Sequence, residues 1–298
     1  MNELLKNCIL CPRKCGINRY KEKGYCGATN RIKIAYFSLH QWEEPIISGI
    51  NGSGTIFFSN CNMKCIYCQN KKISLDGYGV YISNKKLKDI MLLLQEKGAH
   101  NINLVTPTMY VPQLSKILRS IKGKELTIPI VYNTSSYENI ITLKIMNNLV
   151  DIYLADLKYY DDSLAKKYSE SDNYFETATL AIDEMFRQVG SIRIENDLLI
   201  KGLIVRVLVL PGHIDDSKKI IEYLYKTYKD EIIISIMNQY TPVYKCKYDN
   251  LNRKLTKEEY DEVVEFASDL GVINAFIQEG DTAKDSFIPD FNTNIINK

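Results

Sequence analysis

The chain has 298 residues, more than the usual single domain, yet a length that α/β barrels reach as one unit. Lys and Arg number 38 against 36 Asp and Glu, and the formal charge of +2 argues against a dedicated nucleic-acid binder, which would carry a basic excess. Residues Met1 to Lys6 lack the apolar stretch of a signal peptide, and no apolar run reaches membrane-spanning length. A cytoplasmic protein with no membrane partner is expected. Eight cysteines in a reducing compartment then suggest metal or redox roles rather than bridges.

The first cysteine group comes at once: Cys8, Cys11, Cys15 and Cys26, with Gly16 and Gly27 easing tight turns beside them. Four such thiols can close a zinc shell or hold an auxiliary iron–sulfur cluster, and the spacing does not say which. An unmetallated loop is the bland alternative. Ile34 to Phe37 is strand-like. Gly49, Gly52 and Gly54 then allow close backbone approach to a ligand or peptide, or form a plain surface turn.

From Thr55 strands and helices alternate. Thr55–Phe58 reads as a buried strand. Helical spacing follows at Leu87, Ile90, Met91 and Leu94. Next come a strand at Ile102–Val105, a helix face at Leu114 to Ile121, a strand at Ile128–Tyr132 and a helix at Ile140–Leu149. Ile152–Ala155 is a strand, followed by helices near Asp162–Tyr168 and Thr177–Val189. Leu203–Leu210 and Ile232–Ile236 are strands separated by a helix through Ile220 and Leu224. A helix through Tyr260 and Val263 and a short strand at Ala275–Ile277 follow. The tail after Gly280 is polar and is expected to fray. Such alternation implies a parallel sheet. Six main repeats fit a partial barrel better than a closed eightfold one. The expected division is a Cys-rich metal-binding extension over 1–50 and a barrel over 51–298.

Between the first barrel strand and its helix lies Cys61-Asn62-Met63-Lys64-Cys65-Ile66-Tyr67-Cys68. Three cysteines are one short of the four-thiolate shell of a cubane cluster, so one iron is left open to a non-protein ligand. Structural zinc wants four closed ligands, and disulfides are not expected in this compartment. The motif resembles the cluster loop of radical S-adenosylmethionine (SAM) enzymes, in which the amino and carboxylate groups of SAM take the open iron. Tyr67 can offer its face or backbone to adenine.

The expected strand ends are polar: Thr106 and Thr108, Asn133 and Ser135, Asp156 and Lys158, Arg206 within a strand, and Asn238 and Gln239. A zwitterionic ligand bearing a ribose needs this mix. A Lys and an Arg at buried strand ends would be costly without anionic partners. Helix capping by residues 133–136, and a simple ion pair between Asp156 and Lys158, are the plainer readings.

With these residues in view, the chain resembles the pyruvate formate-lyase activating enzyme homologues of the PflX type over nearly its whole length. The likeness is carried by the Cys8–Cys15 block with Gly24-Tyr25-Cys26-Gly27, by Leu39-His40 with Glu43-Glu44-Pro45, and by Gly52 to Phe58. It continues through Asn103 to Thr108, Val131 to Ser135, Leu208 to Gly212 and Met237 to Tyr240. The resemblance implies a partial (β/α)6 barrel with a catalytic [4Fe–4S] cluster on Cys61, Cys65 and Cys68. It implies SAM contacts from Asp156, Lys158 and Arg206, with Tyr67, Thr106, Thr108, Asn133, Ser135 and Gln239 completing the cofactor site. Gly52-Ser53-Gly54 stands where activating enzymes carry a glycine-rich loop near the target glycine. The chain departs from the pattern at Met109, Val207 and Ala155, and Thr106-Pro107-Thr108 replaces a turn that usually carries an acid.

The implied activity is reductive cleavage of SAM to a 5′-deoxyadenosyl radical for hydrogen-atom abstraction, with a glycyl radical enzyme as protein substrate. A ferredoxin or flavodoxin would be the electron donor. Competing readings are radical modification of another protein or small molecule, and a non-catalytic iron–sulfur or zinc protein that transfers electrons or scaffolds a complex.

Overall fold

In a computed structural model the structure describes residues 2–278, so the tail after Gly280 lies outside the described residues. The elements run α1 (Asn2–Lys6), β1 (Ile32–His40), α2 (Pro45–Ser48), β2 (Ser53–Phe58), α3 (Lys71–Ser74), β3 (Val80–Ile82), α4 (Asn84–Glu96) and β4 (Ile102–Val105). They continue α5 (Val111–Ile121), β5 (Ile130–Thr134), α6 (Ile140–Met146), β6 (Ile152–Asp156), α7 (Asp162–Ser169), α8 (Tyr174–Val189) and β7 (Arg193–Glu195). The last are β8 (Leu198–Leu208), α9 (Ile214–Tyr228), β9 (Ile233–Met237), α10 (Lys257–Leu270) and β10 (Ala275–Ile277).

One sheet carries the order β10-β9-β8-β6-β5-β4-β2-β1-β3, with β7 pairing off β8. From β2 to β10 neighbouring strands are parallel, joined by helical crossovers. This is the expected partial (β/α) barrel. β1 and β3 add an antiparallel edge beside β2. β1 lies before residue 50 and yet is hydrogen bonded along β2, so a division at residue 50 passes through a continuous sheet. The three-residue strands β3 and β7 have too little alternation to register in the sequence.

The period of two along each strand sorts side chains between two cores. Tyr132, Tyr153, Val205 and Ile234 point outward into the large cluster under the helices. Val131, Ile152, Leu154, Ile204 and Ile233 point inward and meet Ile47 of α2. Strand β1 ends beside the start of β2, with His40 opposite Ser53. Residues 41–48 therefore cross the N-terminal end of the barrel and plug it. Asn101 Nδ2 donates to the Ile47 carbonyl at 2.8 Å and anchors the plug. The glycines of this region serve that packing. A Cβ on Gly54 would lie 2.8 Å from the Asn101 carbonyl oxygen, at the end of β2 remote from the cysteine loop. Close approach here is chain to chain rather than chain to ligand.

Candidate functional site

Residues beyond the apolar inner layer follow the same inward register. Asp156 pairs in register with Arg206, and Arg206 with Ser235, so β6, β8 and β9 place these three in one row. Arg206 Nε donates to Asp156 Oδ1 at 2.7 Å, and its NH2 group donates to Asn133 Oδ1 at 2.8 Å. Lys158 Nζ takes the other Asp156 oxygen at 2.7 Å. Burial pushes the Asp156 carboxyl up, but Arg206 and Lys158 more than offset it and leave it below the ordinary value. Burial likewise disfavours the charged Lys158 and Arg206, and the facing acids hold both above their ordinary values.

Two cations against one acid leave a charge to be met, and the plug meets it. Glu43 rises from the barrel floor to within 3.5 Å of Arg206 and accepts from Asn103 Nδ2 at 2.9 Å. Glu44 accepts from Ser235 Oγ at 2.8 Å; its burial pushes the carboxyl up despite Arg206. In the sequence Glu43 and Glu44 stand out only through the family resemblance. The signal that could have assigned them is the unbalanced pair of buried cations, which demands an acid from outside the strands.

Above this layer a cavity of about 270 Å³ opens at the C-terminal ends of the strands, where barrel chemistry gathers. Cys61, Cys65, Tyr67, Cys68, Thr106, Asn133, Ser135, Asp156, Lys158, Arg206 and Gln239 all line it. Thr106 has φ +58°, a left-handed conformation that a β-branched residue adopts only under strain, of order 1–3 kcal/mol. A bond from its N–H to the Asn133 carbonyl at 2.9 Å holds it there. Thr108 is not brought to the cavity. The turn after Pro107 curls its hydroxyl back to Glu138 Oε1 at 2.6 Å, in a buried pocket shared with Thr134 and Tyr132.

The cysteine loop is held on both flanks. Asn60, at φ +76°, turns the chain out of β2. Lys64 N–H donates to the Ser169 carbonyl and Ile66 N–H to the Tyr168 carbonyl, at 3.2 and 2.9 Å. Each sulfur has a donor: Met63 N–H to Cys61 at 3.4 Å, Ser169 Oγ to Cys65 at 3.0 Å, and the Ser74 hydroxyl beside Cys68 at 3.2 Å. Burial pushes all three thiols up, Cys65 to about 11. As thiols they are protonated at neutral pH, so metal binding there releases protons.

The N-terminal cysteines form a separate group. A Cβ on Gly24 would lie 3.6 Å from the Cys15 sulfur and 3.9 Å from that of Cys26. Ala28 N–H points at the Cys26 sulfur, 3.5 Å away. Burial pushes the Cys11 thiol up to about 12. Arg13, on the loop between Cys11 and Cys15, joins this block to the Cys61–Cys68 loop. Its Nε donates to the Asn62 carbonyl at 3.0 Å, and its guanidinium lies 4.0 Å from the centre of the Tyr25 ring. Among the described residues, no three Cys, His, Asp or Glu side chains already sit close enough to hold a metal ion. A cubane offers each sulfur its own iron, so its thiolates need not meet at one point. The donor set of the Cys61–Cys68 loop, three thiols each with a hydrogen-bond donor beside a cavity, fits such a cluster.

A family model described as the radical SAM superfamily matches residues 55–224. The chain belongs to the radical SAM superfamily. The family implies a [4Fe–4S] cluster and SAM, and reductive cleavage of the second at the first. An uncharacterized protein of Methanocaldococcus jannaschii is 34% identical over 279 residues, covering 89% of this chain and 75% of the relative. A second protein of that archaeon, named “Putative glycyl-radical enzyme activating enzyme MJ1227”, is 27% identical over 215 residues, covering 72% of this chain and 82% of its own. Among solved structures, Streptococcus suis SuiB bound to S-adenosylmethionine shares the fold, with a TM-score of 0.51 and 12% identity over 74% of this radical SAM chain. The match spans about half, 48%, of the SuiB chain. No helix among the described residues is long and apolar enough to cross a membrane.

Proposed function

We propose that this radical SAM protein is an activating enzyme that abstracts a hydrogen atom from a glycyl residue of a partner enzyme, in the manner of the PflX-type homologues. The SAM chemistry is carried by the shared cavity, where the Cys61, Cys65 and Cys68 loop faces Asp156, Lys158 and Arg206, and the glycyl target by the likeness to the relative named as a putative glycyl-radical enzyme activating enzyme. When bound, the cluster and SAM supply an electron and a 5′-deoxyadenosyl group for hydrogen-atom abstraction. The three cysteines hold the cluster as thiolates. Lys158 and Arg206 offer cations to a carboxylate, and Asp156 offers an acceptor to an ammonium or hydroxyl group. Thr106, Asn133 and Ser135 present polar edges between them, while Tyr67 and Gln239 line the same cavity and would flank the adenine of bound SAM. The strained Thr106 backbone takes over from the acid that the usual turn carries. A ferredoxin- or flavodoxin-type protein supplies the electron in this scheme.

The N-terminal quartet enters the proposal as a second thiolate-bound metal centre, zinc or iron–sulfur, formed by Cys8, Cys11, Cys15 and Cys26. Arg19 supports it. Its side chain is buried, it has no carboxylate partner among the described residues, and its Nε lacks any hydrogen-bond partner. Its bonds go to the Met109 and Thr29 carbonyls. A buried guanidinium without an acid calls for another anion, and a metal bound by four thiolates is one. The sulfurs would draw together on binding.

The test is anaerobic reconstitution with iron and sulfide, then SAM and dithionite. The expected product is 5′-deoxyadenosine, absent from the Cys65→Ala protein. A glycyl doublet in the electron paramagnetic resonance spectrum after mixing with a glycyl radical enzyme identifies the substrate class. SAM cleavage without that doublet for any candidate would refute the glycyl target and leave the superfamily chemistry standing.

A further inference from the structure

A chain of hydroxyl groups runs from the cavity wall to one cysteine of the cluster loop. Tyr67 OH lies 2.6 Å from Tyr159 OH, and Tyr159 OH lies 2.7 Å from Ser169 Oγ. Ser169 Oγ lies 3.0 Å from the Cys65 sulfur. Tyr159 and Ser169 are fully buried, so water does not compete for these bonds. Three separate segments supply the links: the cluster loop, the stretch after β6 that also carries Lys158, and the end of α7. Ser169 is fixed from its backbone side by the Lys64 N–H.

A thiolate bound to metal has no proton to give, and this fixes the direction of every bond. Ser169 must donate to sulfur, so its oxygen is free to accept from Tyr159, and Tyr159 in turn accepts from Tyr67. All three protons point toward Cys65. Aligned hydrogen bonds polarise one another in a low-dielectric interior. The Cys61 sulfur has the Met63 N–H beside it and the Cys68 sulfur the Ser74 hydroxyl and the Asn70 N–H, with no such chain of side-chain hydroxyls behind them among the described residues.

We propose that the Tyr67–Tyr159–Ser169 relay raises the reduction potential of the iron–sulfur centre through the Cys65 sulfur. The inference rests on the cluster assignment made above. Donors to a ligand sulfur stabilise the more negative, reduced cluster, and so favour gain of the electron. Ser169, Tyr159 and Tyr67 act here as positioning residues through sulfur. The superfamily resemblance gives Tyr67 a place beside adenine; the relay gives its hydroxyl a second task.

The test is a redox titration of the reconstituted protein with dithionite, followed by electron paramagnetic resonance, with iron and sulfide contents measured for each variant. Ser169→Ala should lower the midpoint so that the oxidised-to-reduced ratio at a fixed potential rises about tenfold, which is 59 mV for a one-electron couple. Tyr159→Phe removes one oxygen, keeps the ring, and should give a smaller fall. Tyr67→Phe should give the smallest. Ser169→Thr should restore the wild-type midpoint. Full clusters with unchanged midpoints in the Ser169→Ala and Tyr159→Phe proteins would overturn the relay and leave the cluster assignment intact. Failure of the wild type to take up a cluster would overturn both.

Discussion

Replacing Arg206 with Met keeps the length and the aliphatic stem of the side chain and deletes the fork that ties four elements together. Two short bonds vanish, to Asp156 at 2.7 Å and to Asn133 at 2.8 Å, with the looser contact to Glu43 at 3.5 Å. Asp156 keeps Lys158, but Asn133 Oδ1 and the Glu43 carboxylate are left buried without a cation. Breaking a buried charge pair from one side costs about 3–5 kcal/mol. At roughly 2 °C per kcal/mol for a chain of this size, the melting temperature should fall by about 6–10 °C. Calorimetry on the metal-free protein reads this term without cofactor. In the reconstituted protein, titration calorimetry should show SAM binding about 10–100-fold weaker, the loss of one charge-assisted bond. Arg206→Lys should lie between, because an ammonium keeps the charge and loses the fork. A metal-free Arg206→Met protein that melts within about 2 °C of wild type would refute the reasoning, since the acids would then not need this cation.

Glu138 supplies a pH test. Burial pushes its carboxyl up to about 7, against bonds from Thr108, Thr134 and Tyr132, and its second oxygen has no partner. A carboxyl raised in the folded state contributes stability that is full below its unfolded value near 4.5 and is lost as pH rises to about 7. The loss amounts to roughly 3 kcal/mol, and Glu138→Gln should flatten the stability profile across that window; an unchanged slope in urea melts from pH 5 to 7.5 would contradict it. Arg13→Ala should loosen the cluster loop, so that bound iron is lost to a chelator at least several-fold faster; equal rates would separate the two cysteine blocks. In a protein with Cys61, Cys65 and Cys68 all replaced by Ala, metal analysis should still find either one zinc or a full cluster's iron per chain at the N-terminal quartet, and a metal-free product would remove the second centre.

The barrel was legible because β5, β6, β8 and β9 are short apolar runs, as strands buried on both faces are, and each is followed by a helical period. Asp156 and Arg206 were readable as polar groups at the strand ends, and strand register then sets them side by side. Spacing alone singled out the Cys61–Cys68 loop, whose three cysteines line the cavity. Other parts were set by closure of the barrel, which no local pattern reports. Glu44 meets Ser235 across 191 positions of sequence, and Ser169 meets Cys65 across 104. Thr108 sits two residues from Thr106 and yet turns away, because the short turn after Pro107 gives its hydroxyl to Glu138. The glycines of the 49–54 stretch left a ligand, a peptide or a plain turn open, and Gly54 packs against the Asn101 backbone while Gly52 packs against Gln41.

The plug has a consequence for how the molecule is made. Its two acids leave the ribosome almost two hundred residues before β9, the strand that receives Glu44. Until then the acids stay in water, and the half-made barrel has no floor. The pocket therefore takes its final charge only once β9 has been synthesised, so a truncated chain ending before β9 should be unable to capture the sulfonium compound however well its iron centre has assembled.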